Sequence, residues 1–265
     1  MNQIKRILKG ILRRGGCIIP DKFQIETYYR LEMGKKLDLN NPRTMNEKLQ
    51  WLKLYNRKEE YKALVDKVKV KEVVANKIGE EYVVPILGVW DSFDEIDFDK
   101  LPNQFVLKTN HSGGNTGVII VPDKSKFNVS EAKEKLENSL KSDIYRNYRE
   151  WPYKGMNKKI FAEEYLGSDL VDYKFYCFDG DADCVLLCID RQIGAAKFYF
   201  FDKDWKLCRY NKRGKEAPED FTLPKPNGID QMFRLASEMS KGFPFVRIDF
   251  FDVNGKIYFG EYTFF

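Results

Sequence analysis

Through the first eighty residues, apolar positions recur every three or four places; from residue 82 onward they mostly alternate or run unbroken. The first pattern marks one face of a helix, the second a half-buried or buried strand. Ile4, Ile7, Leu8, Ile11 and Leu12 form one helical stripe. Thr44-Met-Asn-Glu47, after Asn41-Pro42, is a capping box that opens an amphipathic helix carrying Leu49, Trp51, Leu52 and Leu54. The spacing predicts a second helix over 59–78, stopped by Gly79. Strands are expected at 82–90, 105–109 and 117–121, then a helix at 130–141. Residues 143–157 are rich in Arg, Tyr and Trp without a period, and are expected to form a loop. Further strands are predicted at 159–166, 172–178, 183–190, 196–201 and 207–210, with a helix at 229–241. A closing hairpin, 245–251 with 256–264, turns at Asn254-Gly255. Helices first and then an antiparallel-looking sheet is the order of an α+β fold.

Composition narrows this picture. At 265 residues, with 43% hydrophobic and 32% charged, the chain is long enough for a sizeable core in one or two domains and is not of a disordered class. No apolar run approaches the ~20 residues that span a bilayer. The five cysteines (Cys17, Cys177, Cys184, Cys188, Cys208) are odd in number and lack a Cys-x-x-Cys spacing, which argues against a disulfide framework or zinc site and for a reducing, cytoplasmic compartment. His111 is the single histidine, so chemistry needing two is excluded.

The charge is unevenly placed. Residues 1–16 hold Lys5, Arg6, Lys9, Arg13 and Arg14 and no acid, and the rest of the chain balances at 40 of each sign. The totals therefore offer no basic face for nucleic acid. The cation-flanked stripe of the tail suits an anionic membrane interface, or equally a helix docked on the protein's own core. Charges run through its apolar stretch and no small-residue cleavage site follows, unlike a signal peptide.

Three clusters carry candidate chemistry. Lys108 interrupts an apolar strand that leads into His111, Ser112, Gly113, Gly114, Asn115, Thr116 and Gly117. Glycines let backbone N–H groups approach a phosphate, and the lysine adds a point charge; the alternative is a plain hairpin with an outward lysine. His111 is either a ligand contact or a loop histidine bonded to backbone, and no nucleophile elbow accompanies it. The second cluster is Glu163, Glu164, Tyr165 and Leu166 followed by Asp172 and Lys174, where a carboxylate could accept from ribose hydroxyls and exposed backbone could read adenine; charged strand ends are also common. The third is the closing hairpin. Arg247 and Asp249 share one face, as do Glu261 and Thr263. A two-residue turn pairs Asp249 with Gly260 and sends Glu261 to the opposite face; a three-residue loop pairs Asp249 with Glu261 and Arg247 with Thr263. Two carboxylates across a sheet repel unless a cation lies between them, and Mg²⁺ bridging nucleotide phosphates is the commonest filler; a solvated face with an Arg–Glu pair is the alternative.

In this order, a glycine loop after a strand, a Glu-Glu-Tyr-Leu hinge and an Arg-x-Asp…Glu hairpin resemble the ATP-grasp superfamily. Asn41-Pro-Arg-Thr-Met-Asn-Glu-Lys-Leu-Gln-Trp51, Val106 to Gly117, Arg149-Glu-Trp-Pro-Tyr153, Asp172-Tyr-Lys-Phe175, and Val246-Arg-Ile-Asp249 with Phe259 to Phe264 resemble its teichuronopeptide-biosynthesis (TupA-like) branch, over roughly 25–265. The resemblance implies an ATP-grasp fold: a helical region over 1–80 that includes the basic tail 1–16, a nucleotide subdomain over 81–166, and a core subdomain over 167–265. It also implies a carboxylate–amine ligase using ATP and Mg²⁺ through an acyl phosphate, with an amino acid and a uronic acid of a bacterial surface-polysaccharide precursor as substrates. The protein would then be cytoplasmic, with peripheral contact at the inner membrane face through residues 1–16. On this resemblance Lys108 holds phosphate under a lid of residues 112–117, with His111 beside it. Glu163, Glu164, Tyr165 and Leu166 line the adenine pocket, Asp172 lies near the ribose, Arg247 binds the transferred phosphate, and Asp249 and Glu261 hold Mg²⁺. Lys71 is the other nucleotide lysine, in competition with Lys67 and Lys69, and Lys174 and Arg191 contact phosphate or substrate. Thr263 stands where many ATP-grasp enzymes have Asn, which implies water in the metal shell. The chain ends at Phe265, where relatives typically continue.

Two other readings have sequence support. Asp179-Gly-Asp181-Ala-Asp183 and Asp202-Lys-Asp204 each match Asp-x-Asp, as in metal-dependent glycosyltransferases, but both fall at expected turns. A non-catalytic scaffold acting through residues 1–16 is the third.

Overall fold

The computed structural model of the protein describes residues 5, 7, 8, 10–12, 18–167, 170–189 and 196–265. Helices α1 (Asp21–Met33) and α2 (Met45–Tyr55) pack around Ile25, Tyr29 and Leu37. The capping box forms: Thr44 Oγ1 accepts from the Glu47 N–H, and Glu47 Oε2 accepts from the Thr44 N–H at 2.9 Å.

The helix expected over 59–78 is two helices, α3 (Tyr61–Val65) and α4 (Lys69–Ile78). Asp66 divides them. Its backbone is extended at ψ 109°, and its Oδ1 accepts from the Val68 N–H at 3.0 Å and the Lys69 N–H at 3.3 Å. Its Oδ2 accepts from Asn110 Nδ2 at 3.1 Å. A carboxylate that satisfies these donors competes with the helix it sits in and caps the next one.

Strand β1 (Ile86–Trp90) is shorter than predicted because Glu80–Tyr82 winds into a 3-10 turn. Strands β2 (Phe105–Thr109) and β3 (Val118–Val121) and helix α5 (Val129–Lys141) fall where the pattern put them. The predicted loop over 143–157 contains a short helix, α6 (Ile144–Tyr148), capped by Asp143, and a 3-10 turn at Trp151–Tyr153. Helices this short carry too little periodicity to be seen in a sequence. Strand β4 (Ile160–Glu164) completes an antiparallel sheet of order β1-β4-β2-β3. The two-residue period divides its faces. Phe105, Leu107, Ile160 and Ala162 bury against Ala132 and Leu136 of α5, while Val106, Lys108, Phe161 and Glu163 point the other way.

A second antiparallel sheet has the order β10-β9-β5-β6-β7-β8. It comprises β5 (Val171–Phe178), β6 (Asp181–Ile189), β7 (Lys197–Asp202), β8 (Leu207–Cys208), β9 (Val246–Val253) and β10 (Lys256–Thr263), with α7 (Lys212–Glu216) and α8 (Ile229–Ser240) both between β8 and β9. Helix α8 buries Met232, Phe233, Ala236 and Met239 on Phe175, Cys177, Val246 and Ile248. Helices α3 and α4 join the same core through Tyr61, Leu64, Val70 and Val74. Helices with two antiparallel sheets make the fold α+β, as expected. Cys177, Cys184, Cys188 and Cys208 are free thiols. Among the described residues no helix is long and apolar enough to cross a membrane.

Candidate functional site

The polar-bearing faces of the two sheets meet around one cavity of about 760 Å³. Val106, Lys108, Phe161 and Glu163 reach it from the first sheet. Asp172, Lys174, Arg247, Asp249 and Glu261 reach it from the second. The connection Glu164, Tyr165, Leu166 and Gly167 lines it between them, and Lys67 and Lys71 enter from the α3–α4 break and α4.

The hairpin that carries the acidic pair resolves both predicted registers into one. Asn254 (φ 54°) and Gly255 (φ 84°) are both left-handed, so the turn has two residues and Lys256 pairs with Val253. That register holds to Phe259 opposite Phe250 and then shifts by one at Gly260. Beyond the shift Glu261 pairs with Asp249 and Thr263 with Arg247. A β-bulge, and not the turn, thus brings the carboxylates together. A Cβ on Gly260 would lie 3.1 Å from the Asp249 carbonyl oxygen and 3.1 Å from the Phe251 ring, so any side chain there would make its neighbours give way by a few tenths of an ångström.

Cations compensate the pair. Arg247 donates to Asp249 through Nε at 2.7 Å and Nη2 at 2.8 Å, and Nη2 also lies 2.9 Å from Glu261 Oε1. Lys174 Nζ lies 2.5 Å from Asp249 Oδ2 and 3.4 Å from the Asp172 carboxylate. Lys67 Nζ sits 3.2 Å from Glu261 Oε2. Burial pushes the Asp249 carboxyl up, against the pull of Arg247 and Lys174. Burial opposes ionisation at Glu261 too, but Lys67 and Arg247 win and hold it down at about 2. The donors left facing the cavity are hard oxygens, which suit Mg²⁺. Among the described residues no group of three His, Cys, Asp or Glu side chains could hold a metal, so two carboxylates would leave the rest of an ion's shell to phosphate and water.

Across the cavity, Glu163 is the common counter-ion of two lysines. Lys71 Nζ donates to its Oε2 at 2.9 Å and to the Val84 carbonyl at 2.5 Å, and Lys108 donates to its Oε1. Burial opposes its ionisation, yet Lys108 and Lys71 hold its carboxyl below the usual range. Burial in turn lowers the Lys71 ammonium. Glu163 therefore orients cations, a duty its place in the sequence motif did not show. Lys67 and Lys71 both line the cavity, while Lys69 does not. Lys67 also donates to the Ser112 carbonyl at 2.8 Å, which ties Glu261 to the glycine loop. No sequence signal separates Lys67 from its neighbours; the helix break at Asp66 is what displays it.

The loop residues divide. Gly114 and Asn115 line the cavity, and Thr116 Oγ1 closes the loop on the Gly113 carbonyl at 3.0 Å. Ser112 and Gly117 turn inward: Thr109 Oγ1 donates to Ser112 Oγ at 2.7 Å, directly beneath Gly117. His111, expected beside the ligand, is buried with Nε2 3.1 Å from the Ser139 carbonyl and does not line the cavity. Its environment is the loop's anchor on α5. Arg191 lies outside the described residues.

Burial, with Lys158 adding repulsion, lowers the His111 pKa to about 4. An unfolded chain takes up that proton near 6.5. Between the two values the unfolded state binds more protons, so stability falls as pH drops from about 6.5 towards 4, at most by about 1.4 kcal/mol per pH unit. Thermal melts should show this slope in the wild type and lose it in His111→Gln.

The Asp-x-Asp segments serve as turns. Asp179 (φ 49°) and Gly180 (φ 87°) form the β5–β6 turn, and Asp181 is exposed, 2.5 Å from Lys203 Nζ. Asp202 Oδ1 accepts from the Lys206 N–H at 2.8 Å. Neither lies at the cavity.

No curated protein matches the chain significantly. Among solved structures, it is similar to D-alanine–D-alanine ligase from Bacillus anthracis, at 17% identity and TM-score 0.43 over 76% of this chain and 57% of that one. The corresponding ligase from Helicobacter pylori gives 14% identity and TM-score 0.43 over 82% and 60%. The ATP-grasp ligase PsnB, complexed with minimal precursor, Mg and ADP, gives 14% and 0.39 over 83% and 57%. The chain thus spans less than two thirds of each of these proteins. The family model described as TupA-like ATPgrasp matches residues 47–265, which include both sheets and every described cavity residue named above, and the chain belongs to that family.

Proposed function

We propose that the protein is an ATP- and Mg²⁺-dependent carboxylate–amine ligase that joins an amino acid to a uronic acid of a surface-polysaccharide precursor. The observation that carries the ligase reading is the Asp249–Glu261 pair, opposed across a bulged hairpin with Arg247 between them. It faces Lys71 and Lys108 across the cavity. The family's description names an ATP-grasp, and the oxygens of the acidic pair suit Mg²⁺. ATP, when bound, would supply a γ-phosphoryl group to a substrate carboxylate with ADP leaving, and the amine would then displace phosphate to form the amide. The chain's own residues act by position and charge. Asp249 and Glu261 would hold Mg²⁺. Lys71 and Lys108, released in part from Glu163, would hold phosphate oxygens, with Gly114 and Asn115 over them. Arg247 and Lys174 would neutralise the transferred phosphoryl group. Val106, Phe161 and Leu166 offer an apolar slot to a base, with Asp172 beside a ribose. The uronate and amino-acid assignments rest on the resemblance to teichuronopeptide biosynthesis and on these cations, which suit an acidic acceptor.

The test is a thermal melt with ATP and Mg²⁺, followed by hydroxylamine trapping with candidate carboxylic acids. At ligand ~100 times Kd the native state gains about 2.7 kcal/mol, a shift of several degrees. A Mg²⁺-dependent shift and a trapped hydroxamate are expected. A shift with a sugar nucleotide but none with ATP would sink the reading in favour of glycosyl transfer, and so would loss of activity in Asp181→Asn, which should be silent. An amide found on a protein instead would overturn the uronate assignment alone.

Lys67→Met tests the link between carboxylate and loop. Lys67 competes with Mg²⁺ for Glu261 and also tethers Ser112. The variant should need several-fold less Mg²⁺ for half-maximal ATP binding, yet turn over about tenfold more slowly, as expected for a lost charge-assisted contact of ~1.5 kcal/mol. Magnesium titration of ATP binding beside steady-state kcat separates the two effects.

A further inference from the structure

The N-terminal stripe offers a second surface, remote in sequence from the cavity residues. A helix docked on the protein's own core would bury Ile7, Leu8 and Ile11. They are instead 56%, 41% and 57% exposed, while Leu12, at 6%, is buried. Exposure continues past it in Ile18 at 90% and Phe23 at 58%. Large apolar side chains clustered in the open mark an interaction surface. The charge around them selects the partner. Lys5, Arg6, Lys9, Arg13 and Arg14 interleave with the stripe, no acid lies among residues 1–16, and the remaining chain is neutral. A protein partner would need both an apolar groove and a matching acidic rim, whereas an anionic bilayer supplies apolar depth and negative headgroups together.

We infer that the N-terminal stripe docks the protein on an anionic lipid surface, with Ile7, Leu8 and Ile11 entering the headgroup boundary and the positive charge of the segment drawn to the lipid phosphates. This does not depend on what the cavity binds. Exposed as they are, Ile7, Leu8 and Ile11 contribute little to folding, so they can be changed without unfolding the body.

The experiment is co-sedimentation of the full chain with large vesicles of phosphatidylcholine alone and of phosphatidylcholine with phosphatidylglycerol, at low and moderate salt. Binding should require phosphatidylglycerol and weaken with salt. Each basic residue neutralised should lower partitioning about fivefold, so Arg13→Gln with Arg14→Gln should lower it about 25-fold. Ile7→Asp with Ile11→Asp should release the protein from vesicles while leaving its melt and ATP response intact. Absence of binding to phosphatidylglycerol vesicles would overturn the inference. Undiminished binding by the Ile7, Ile11 variant would overturn it too, since the contact would then be electrostatic only. A dimer in light scattering that the same variant dissociates would assign the stripe to a second copy of the chain instead.

Discussion

Asp249→Asn should abolish Mg²⁺-dependent ATP turnover while leaving a folded but less stable protein. Asparagine keeps the shape and one acceptor oxygen, but removes one of the two negative charges available to the ion. Loss of several kcal/mol of charge stabilisation corresponds to a fall in kcat of about a thousandfold. The stability effect comes from the other side of the site. Asp249 is buried and answers both Arg247 and Lys174. Removing one member of a buried ion pair leaves an uncompensated charge and costs about 3–5 kcal/mol, of which the remaining amide acceptor should recover part. Calorimetry and steady-state kinetics on the same preparation separate the two. Retention of a tenth of the wild-type rate would remove Asp249 from the metal site. A Tm unchanged from wild type would mean that Arg247 finds another partner.

The same residues show what a single sequence can disclose. The two-residue period put Arg247 and Asp249 on one face of β9, where the structure has them hydrogen-bonded, because alternation is local and burial enforces it. The cap on α2 and the turn at Asn254-Gly255 were also local, and also legible. Their neighbours were not. Whether Lys67, Lys69 or Lys71 reached the cavity depended on Asp66 finding Asn110, forty-four residues away. The use of Glu163 as a shared counter-ion depended on two lysines from different elements. His111, standing in a glycine loop, read equally as a ligand contact or as a loop histidine bonded to backbone, and the packing of α5 decides for the second. One miss had a signal. Ile257 and Phe259 are core residues at odd positions, and Tyr262 and Phe264 at even ones, with Gly260 between. A change of parity across a glycine within a strand is the mark of a one-residue bulge.

That bulge supports the second large effect. Gly260→Val should destroy the acidic site without touching an acidic residue. A side chain at 260 meets the Asp249 carbonyl and the Phe251 ring at once. The strands can part locally, or the pairing of β10 can slip by one. Overpacking of this kind costs about 1–3 kcal/mol. A slip would cost more, because every later side chain would change face: Glu261 would point into the core and Tyr262 out of it. Either way Glu261 leaves Asp249, and the Mg²⁺-dependent response to ATP should disappear in a melt that still unfolds cooperatively at lower temperature. Deleting Gly260 provides the contrast. Removal of the extra residue continues the register of Lys256 with Val253, and that register then places Glu261 directly opposite Asp249, with Tyr262 and Phe264 still facing the core. If the bulge serves only to restore the pairing, the deletion should keep an ATP response within about tenfold of wild type (about 1.4 kcal/mol), while valine abolishes it. Equal loss in both would instead assign the bulge a second duty, the added local twist that aims the pair at the cavity.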